Sequence, residues 1–157
     1  MKIVHSTYHA TFVIERTYAA PVARVFQSWA DPAQKTRWFV GPDEWVKQKH
    51  ELDFRIGGRE TVAGGQKEGP VHAYDARYHD IVPNERIVLT YDMYVDEQRI
   101  SVSLATVTFT PKGTGTRLLY TEQGVFLDGT DSSKSREIGT RDLLDNLERE
   151  LTTETPS

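Results

Sequence analysis

Residues 131–152 have the sequence DSSKSREIGTRDLLDNLERELT, and this stretch decides the fold that the rest of the chain completes. On the 3.6-residue period of a helix, one face collects a threonine and four leucines, at Thr140, Leu143, Leu144, Leu147 and Leu151. At about 20 residues this helix would be about 30 Å long. A long helix with one narrow apolar stripe needs a broad apolar surface to cover it, and the upstream sequence is rich in strand-forming residues. We therefore expect the helix to lie across a sheet.

Upstream of this helix, β-branched and aromatic residues with a two-residue alternation predict seven strands. They lie at residues 7–17, 45–54, 59–63, 70–81, 86–93, 99–110 and 116–124. Short connections between them imply antiparallel pairing. In the strand at 99–110 the alternation shifts near Leu104, so its inner face stays undetermined and a bulge is one explanation.

Two short helices are predicted between the first two strands. Ala20 and Pro21 open the first helix, whereas Asp31 can cap a second helix that begins at Pro32. Together these elements predict an α+β fold, with a seven-stranded antiparallel sheet around a long C-terminal helix. A sheet wrapped around one helix tends to leave a gap beside it, and a ligand would bind there.

The composition excludes several classes of protein. The 157 residues suit one domain, placed at residues 1–157. A net charge of −4 and the lack of any Lys/Arg run argue against nucleic-acid binding. The chain has no cysteine, which removes disulfides, thiolate zinc sites and cysteine nucleophiles. No stretch reaches ~18 apolar residues and the N-terminus is polar, so we expect a cytoplasmic protein without membrane contact.

The histidines do not suggest a metal site. His72 and His79 are seven residues apart on one strand, so they would face opposite sides of the sheet about 23 Å apart. His5 and His9 lie near a terminus that is expected to fray. No nucleotide-binding or metalloprotease motif occurs. We therefore expect neither a metal nor a cofactor.

Eight runs of residues resemble, in the same order, the bacterial homologues of the heat-shock protein 90 ATPase activator. They are APVARVFQSWADP (20–32), RWF (37–39), GP (41–42), DFRIGGR (53–59), VPNERIV (82–88), TVTFTP (106–111), TRL (116–118) and GTRDLLDNL (139–147). These homologues belong to the START-like (SRPBCC) superfamily. The resemblance implies the helix-grip fold and a cavity between sheet and long helix that accepts small, mostly apolar molecules. One departure is Thr140, where the family often has tryptophan, so the cavity should be roomier or more polar there.

The candidate ligand site consists of aromatic, apolar and polar side chains on the inferred inner faces. The candidates are Trp38, Tyr74, Tyr78, Tyr91, Met93, Tyr120, Glu122, Arg136, Thr140 and Leu143. A buried tyrosine hydroxyl needs a hydrogen-bond partner, so four inward tyrosines suggest a cavity with aromatic walls and several hydroxyls.

Arg136 is the most informative of these candidates, because it falls at the same helical angle as Thr140 and Leu143 rather than with the other charges. We expect it at the mouth of the cavity, and three situations are open. It pairs with Glu122, it binds the anionic head group of a ligand, or it is simply exposed to solvent.

Three functions remain open. The first is binding of a small apolar or amphipathic ligand without chemistry, and therefore without catalytic residues. The second is a cyclase or dehydratase that uses cavity tyrosines and Glu122 as acid and base. The third is a stress-related protein-binding module. The first is favoured, because no paired acid/base constellation is visible. Ile138 falls on the outer side of the long helix and needs cover, which predicts a homodimer.

Overall fold

The structure, a computed structural model, describes residues 4–40, 44–47 and 49–153. Its strands are β1 (Thr7–Tyr18), β2 (Val46–Lys47), β3 (Glu51–Leu52), β4 (Arg59–Gly65), β5 (His72–Val82), β6 (Arg86–Val95), β7 (Gln98–Lys112) and β8 (Gly115–Leu127). Its helices are α1 (Val22–Ala30), α2 (Pro32–Trp38) and α3 (Ser133–Thr152). The described strands form one antiparallel sheet in the order β1-β8-β7-β6-β5-β4-β2, and β3 also pairs with β4. The α+β class and the element order agree with the sequence prediction.

The prediction of seven strands was wrong at one place, because the strand expected at residues 45–54 is divided into β2 and β3. Both strands pair antiparallel with β4, with Lys47 opposite Gly64 and Glu51 opposite Thr61. From Lys47 to Glu51 the chain advances four residues, whereas the opposite strand β4 advances only three from Thr61 to Gly64. One extra residue therefore interrupts the ladder. The residues that the structure describes therefore form a sheet of eight strands.

The alternation of β7 is regular where the sequence left it undetermined. Ser103, Ala105, Val107 and Phe109 are all buried and face the core. The irregularity lies closer to the start of the strand, where Met93 pairs with Ser101 and Tyr94 pairs with Arg99. Ile100 is the extra residue between these two pairs, so the bulge lies there and not near Leu104.

Helix α3 covers the inner face of the sheet with the stripe that the sequence predicted. Thr140, Leu144 and Leu147 are buried, and the Ser132 side chain caps the helix by accepting the Ser135 N–H at 3.1 Å. Full burial of a leucine contributes about 1.5–3 kcal/mol. The stripe thus holds α3 against the sheet.

One charged residue, Glu150, is also buried on α3. Its carboxylate accepts two hydrogen bonds from Arg37, at 2.8 and 2.9 Å, and lies 3.6 Å from Arg24. Arg24 belongs to α1 and Arg37 to α2, so this carboxylate ties the C-terminal part of α3 to both short helices.

The cap of α2 is the one predicted, since the Asp31 side chain accepts the Gln34 N–H at 2.9 Å. Helix α1 begins at Val22, after an extended Pro21.

Candidate functional site

A cavity of about 710 Å³ lies between the inner face of the sheet and α3. Ligand pockets for small molecules typically have volumes of about 300–1,000 Å³. Side chains from β2 and from β4 to β8 line the cavity on one side, α3 lines it on the other, and α1 and α2 each contribute a tryptophan. Most of the lining side chains are apolar or aromatic. The cavity is thus large enough for a compact organic molecule.

Eight of the ten predicted ligand-binding residues line this cavity. They are Trp38, Tyr74, Tyr91, Met93, Tyr120, Arg136, Thr140 and Leu143. The structure does not place Tyr78 or Glu122 in the wall, although both are only 1% exposed. Both lie on inner faces as predicted, but they sit deeper than the wall and hydrogen-bond to other buried groups. Strand alternation gives the side of the sheet and not the depth, which explains the difference.

Five aromatic rings form a continuous series along the wall, which we call the aromatic row. The ring centroids are 4.8 Å apart between Trp29 and Trp38, and 5.4 Å apart between Trp38 and Phe39. The series continues to Tyr74 at 5.1 Å and then to Tyr91 at 4.7 Å. All five rings line the cavity. Ring contacts of this kind stabilise the wall beyond the burial of apolar surface alone, so the five rings hold one another in place.

The third tryptophan of the chain also lies at the cavity. Trp45 stacks on His72 with ring centroids 4.8 Å apart and an interplanar angle of 19°. Both residues line the cavity, one just before β2 and the other at the start of β5. Aromatic surface therefore extends beyond the aromatic row.

Glu122 is the centre of a buried group of polar side chains, which we call the Glu122 cluster. Tyr91 donates a hydrogen bond to one carboxylate oxygen at 2.7 Å, and Tyr120 donates to the other at 2.7 Å. Ser103 donates at 2.9 Å, and the Arg136 guanidinium lies 3.5 Å away. Both carboxylate oxygens are therefore occupied, and the protons of both tyrosine hydroxyls are committed to them.

Arg136 pairs within the protein, which is the first of the three situations considered for it. Its side chain is 10% exposed and donates to Tyr91 at 2.9 Å, to Ser101 at 2.8 Å and to Asp131 at 2.9 Å, besides its contact with Glu122. Burial alone would lower the pKa of Arg136, but Tyr91, Glu122 and Asp131 outweigh it and raise the pKa above its ordinary value. The guanidinium is thus charged and matched by two carboxylates.

The tyrosines of the Glu122 cluster are held in their protonated form. Burial, followed by the negative charge of Glu122, raises the pKa of Tyr91 and of Tyr120 above the ordinary value of a phenol. Each hydroxyl can therefore donate to Glu122 throughout the physiological pH range. Neither tyrosine is prepared to act as a base.

A second buried group, the Glu60 cluster, was missed by the sequence analysis. Lys35 donates to Glu60 at 2.7 Å and to Tyr78 at 3.1 Å, while Tyr78 donates to Glu60 at 2.7 Å. His50 lies 2.7 Å from the other Glu60 oxygen and 2.7 Å from the Thr36 hydroxyl. None of these five residues lines the cavity. The group joins α2 to β4 and β5.

The charges of the Glu60 cluster depend on each other. Burial lowers the pKa of Lys35, although Glu60 opposes this change. Burial would raise the pKa of Glu60, but the charge of Lys35 and hydrogen bonds from His50, Lys35 and Tyr78 lower it overall. One signal in the sequence could have shown that both charges point inward, but it does not pair them. Lys35 lies three residues before Trp38 on α2, and Glu60 shares a face of β4 with Val62, so each charge occupies an inward position.

Within the described ranges, no three histidine, cysteine, aspartate or glutamate side chains are placed to hold a metal ion. None of the described helices is long and apolar enough to cross a membrane.

An antiparallel sheet around a long C-terminal helix, with two short helices after the first strand, is the helix-grip fold of the START-like (SRPBCC) superfamily. Residues 19–152 match the family model described as Activator of Hsp90 ATPase homolog 1-like protein, and the chain belongs to this family. The resemblance found in the sequence is thus confirmed. No protein of curated function matches the chain.

Solved structures of similar proteins support this assignment. An uncharacterised protein from Rhizobium leguminosarum is 48% identical, with a TM-score of 0.92, over 96% of this chain and 99% of that one. A protein from Rhizobium loti is 49% identical, with a TM-score of 0.86, over 92% and 99% of the two chains. A protein from Chromobacterium violaceum is 25% identical, with a TM-score of 0.76, over 92% and 98%.

Proposed function

We propose that this protein binds a small apolar or amphipathic molecule in the cavity beneath α3 and leaves it chemically unchanged. The observation that carries the proposal is the cavity of about 710 Å³ with the aromatic row along its wall. Burial of apolar ligand surface against such a wall contributes about 25 cal/mol per Å² before the costs of association are subtracted. The START-like fold is consistent with a module that binds a ligand.

The arrangement of the acidic groups favours binding over the cyclase or dehydratase alternative. Glu122 does not line the cavity, and both of its oxygens accept hydrogen bonds from tyrosines. A general base needs direct access to the proton that it removes, or access through one water molecule. Lys35, the buried lysine of the Glu60 cluster, is hydrogen-bonded to Glu60 outside the wall. Neither group is presented to a substrate.

The test is a titration with N-phenyl-1-naphthylamine, a neutral dye whose fluorescence rises in apolar surroundings. Wild-type protein should give a saturable rise. Thr140→Trp places an indole in the wall where Thr140 is 9% exposed, so it should weaken the dye at least roughly tenfold by filling the cavity.

Ile138→Trp is the matched control, because the same side chain is added to the same helix where Ile138 is exposed. It should bind the dye like wild type. A wild-type protein without saturable binding would disprove the proposal, as would equal dye affinity in the two folded variants. Circular dichroism checks that both variants are folded.

The homodimer expected from Ile138 stays a prediction. Its side chain is 54% exposed on α3, which leaves an apolar group on the outer surface. Sedimentation equilibrium measures the mass directly, and a monomer at micromolar concentration would contradict the expectation.

A further inference from the structure

Tyr74 differs from the other tyrosines that line the cavity. The hydroxyls of Tyr91 and Tyr120 both donate hydrogen bonds to Glu122. The Tyr74 hydroxyl has no hydrogen-bond partner among the residues that the structure describes, although its ring lines the same cavity. A hydroxyl in an apolar site is unfavourable unless something accepts its proton. The wall therefore contains a donor that is left for a ligand or a water molecule.

The position of this hydroxyl is well fixed. The Tyr74 ring packs between Phe39 and Tyr91, with ring centroids at 5.1 Å and 4.7 Å, as the fourth ring of the aromatic row. Burial raises the pKa of Tyr74 well above its ordinary value, and the charge of Glu60 adds to the effect. The hydroxyl therefore keeps its proton and acts as a donor. An acceptor bound to Tyr74 would lie beside flat aromatic surface.

The charges of the wall disfavour an anionic ligand. Arg136 is already matched by Glu122 and Asp131, at 3.5 and 2.9 Å. Asp142 adds a further carboxylate to the wall, where the other cation is Lys47. Among the described residues, the wall thus has two carboxylates and two cations, and Glu122 behind the wall adds a third carboxylate that contacts Arg136. A ligand carboxylate would have to compete with Asp131 and Glu122 for a guanidinium that both already hold.

We propose that the ligand is a neutral, ring-containing molecule whose carbonyl oxygen accepts a hydrogen bond from the Tyr74 hydroxyl while its rings pack on the aromatic row. This inference rests on the proposed function and adds the chemical class of the ligand. It differs from the anionic amphiphile that an inward arginine suggests. The geometry also assigns separate roles to the tyrosines, since Tyr74 contacts the ligand oxygen and Tyr120 is held by Glu122.

Three phenanthrenes of similar shape test the proposal by displacing N-phenyl-1-naphthylamine. They are 2-acetylphenanthrene, 2-isopropylphenanthrene and phenanthrene-2-carboxylate. Tyr74→Phe should weaken the ketone roughly fivefold, the effect of one neutral hydrogen bond, and leave the isopropyl compound unchanged. Comparing the change between variants cancels the different hydrophobicity of the two compounds. The carboxylate should bind most weakly to wild type.

Tyr78→Phe is the matched control, because it removes a buried hydroxyl from the same strand, four residues from Tyr74, where the side chain lies outside the cavity wall. It should leave the ketone affinity unchanged. Tyr74→Phe removes a hydroxyl with no partner in the described protein, so its melting temperature should equal that of wild type.

The outcomes separate this inference from the proposed function. If Tyr74→Phe leaves the ketone affinity unchanged, or weakens the isopropyl compound equally, the role of Tyr74 is overturned while ligand binding stands. If the carboxylate binds most tightly, the neutral class is overturned. If neither the dye nor any phenanthrene binds wild type, the proposed function fails and this inference fails with it.

Discussion

The Glu60 and Glu122 clusters contain the same three kinds of group in the same order. Lys35 donates to Tyr78, which donates to Glu60, and Arg136 donates to Tyr91, which donates to Glu122. The clusters differ in their position relative to the cavity, because Arg136 and Tyr91 line it and Lys35 and Tyr78 do not.

This difference separates two uses of a buried charge. Lys35, Glu60 and Tyr78 are buried and lie outside the cavity wall, so the role of the Glu60 cluster is to hold α2 on the sheet. The Glu122 cluster has one side on the cavity, where it fixes the direction in which the hydroxyls of Tyr91 and Tyr120 point. Changes in the first cluster should therefore affect stability, and changes in the second should affect both stability and binding.

The largest expected effect is that of Glu60→Gln, which leaves the charge of Lys35 buried without a counter-charge. We expect a loss of about 3–5 kcal/mol in the free energy of unfolding, measured by urea denaturation. Glu122→Gln should cost less, about 1–3 kcal/mol, because Arg136 keeps its contact with Asp131. Equal losses in the two variants would contradict the comparison.

The acid dependence of stability should also single out Glu60. The pKa of Glu60 is lower in the folded protein than its ordinary value of 4.5. The unfolded chain therefore binds a proton at higher pH than the folded protein does, and stability is lost as the pH falls below about 4.5. In Glu60→Gln this part of the loss disappears. The check is to measure the urea midpoints of Glu60→Gln and of wild type from pH 5 to pH 3. If the prediction is wrong, the two sets of midpoints fall in parallel.

An intermediate effect on dye binding is expected when Arg136, which lines the cavity, is compared with Lys35, which does not. Arg136→Gln leaves Glu122 and Asp131 without their cation beside the cavity, which favours water there. It should weaken N-phenyl-1-naphthylamine by about 1 kcal/mol, or roughly fivefold. Lys35→Met should lower stability and leave the dye affinity of the folded protein unchanged. A dye affinity that responds to Lys35→Met and not to Arg136→Gln would reverse the two assignments.

The smallest effect is expected for Ser103→Ala, which removes one of several donors to Glu122. Tyr91 and Arg136 still contact the same carboxylate oxygen, so the loss should be about 0.5–1.5 kcal/mol with little change in dye affinity. Urea denaturation and the dye titration measure both quantities. A loss above that for Glu122→Gln would mean that Ser103 supports the strand in another way.

The sequence predicted the parts of this molecule that follow a local period. The stripe of α3 and the alternation of β5 and β6 came directly from the spacing of apolar residues. Arg136 was also placed inward correctly, because its helical angle contradicts its polarity. These features depend only on the geometry of one element at a time.

The Glu60 cluster could not be found in this way. Lys35 and Glu60 are 25 residues apart and meet only after α2 packs on β4. A lysine on a short helix and a glutamate on a strand are usually exposed, so the pattern gave no reason to pair them. The position of His50 depends on the interruption between β2 and β3, where the prediction placed a single strand. Contacts between elements thus decided what the local pattern did not.

The aromatic row and the stacked Trp45 have a consequence for how the ligand can be sought. The chain has three tryptophans, Trp29, Trp38 and Trp45, and every one of them lines the cavity. The tryptophan fluorescence of the protein therefore originates at the site itself. A compound that enters should alter the intensity or the wavelength of this emission, so mixtures of metabolites can be screened optically without a label and without choosing a ligand in advance.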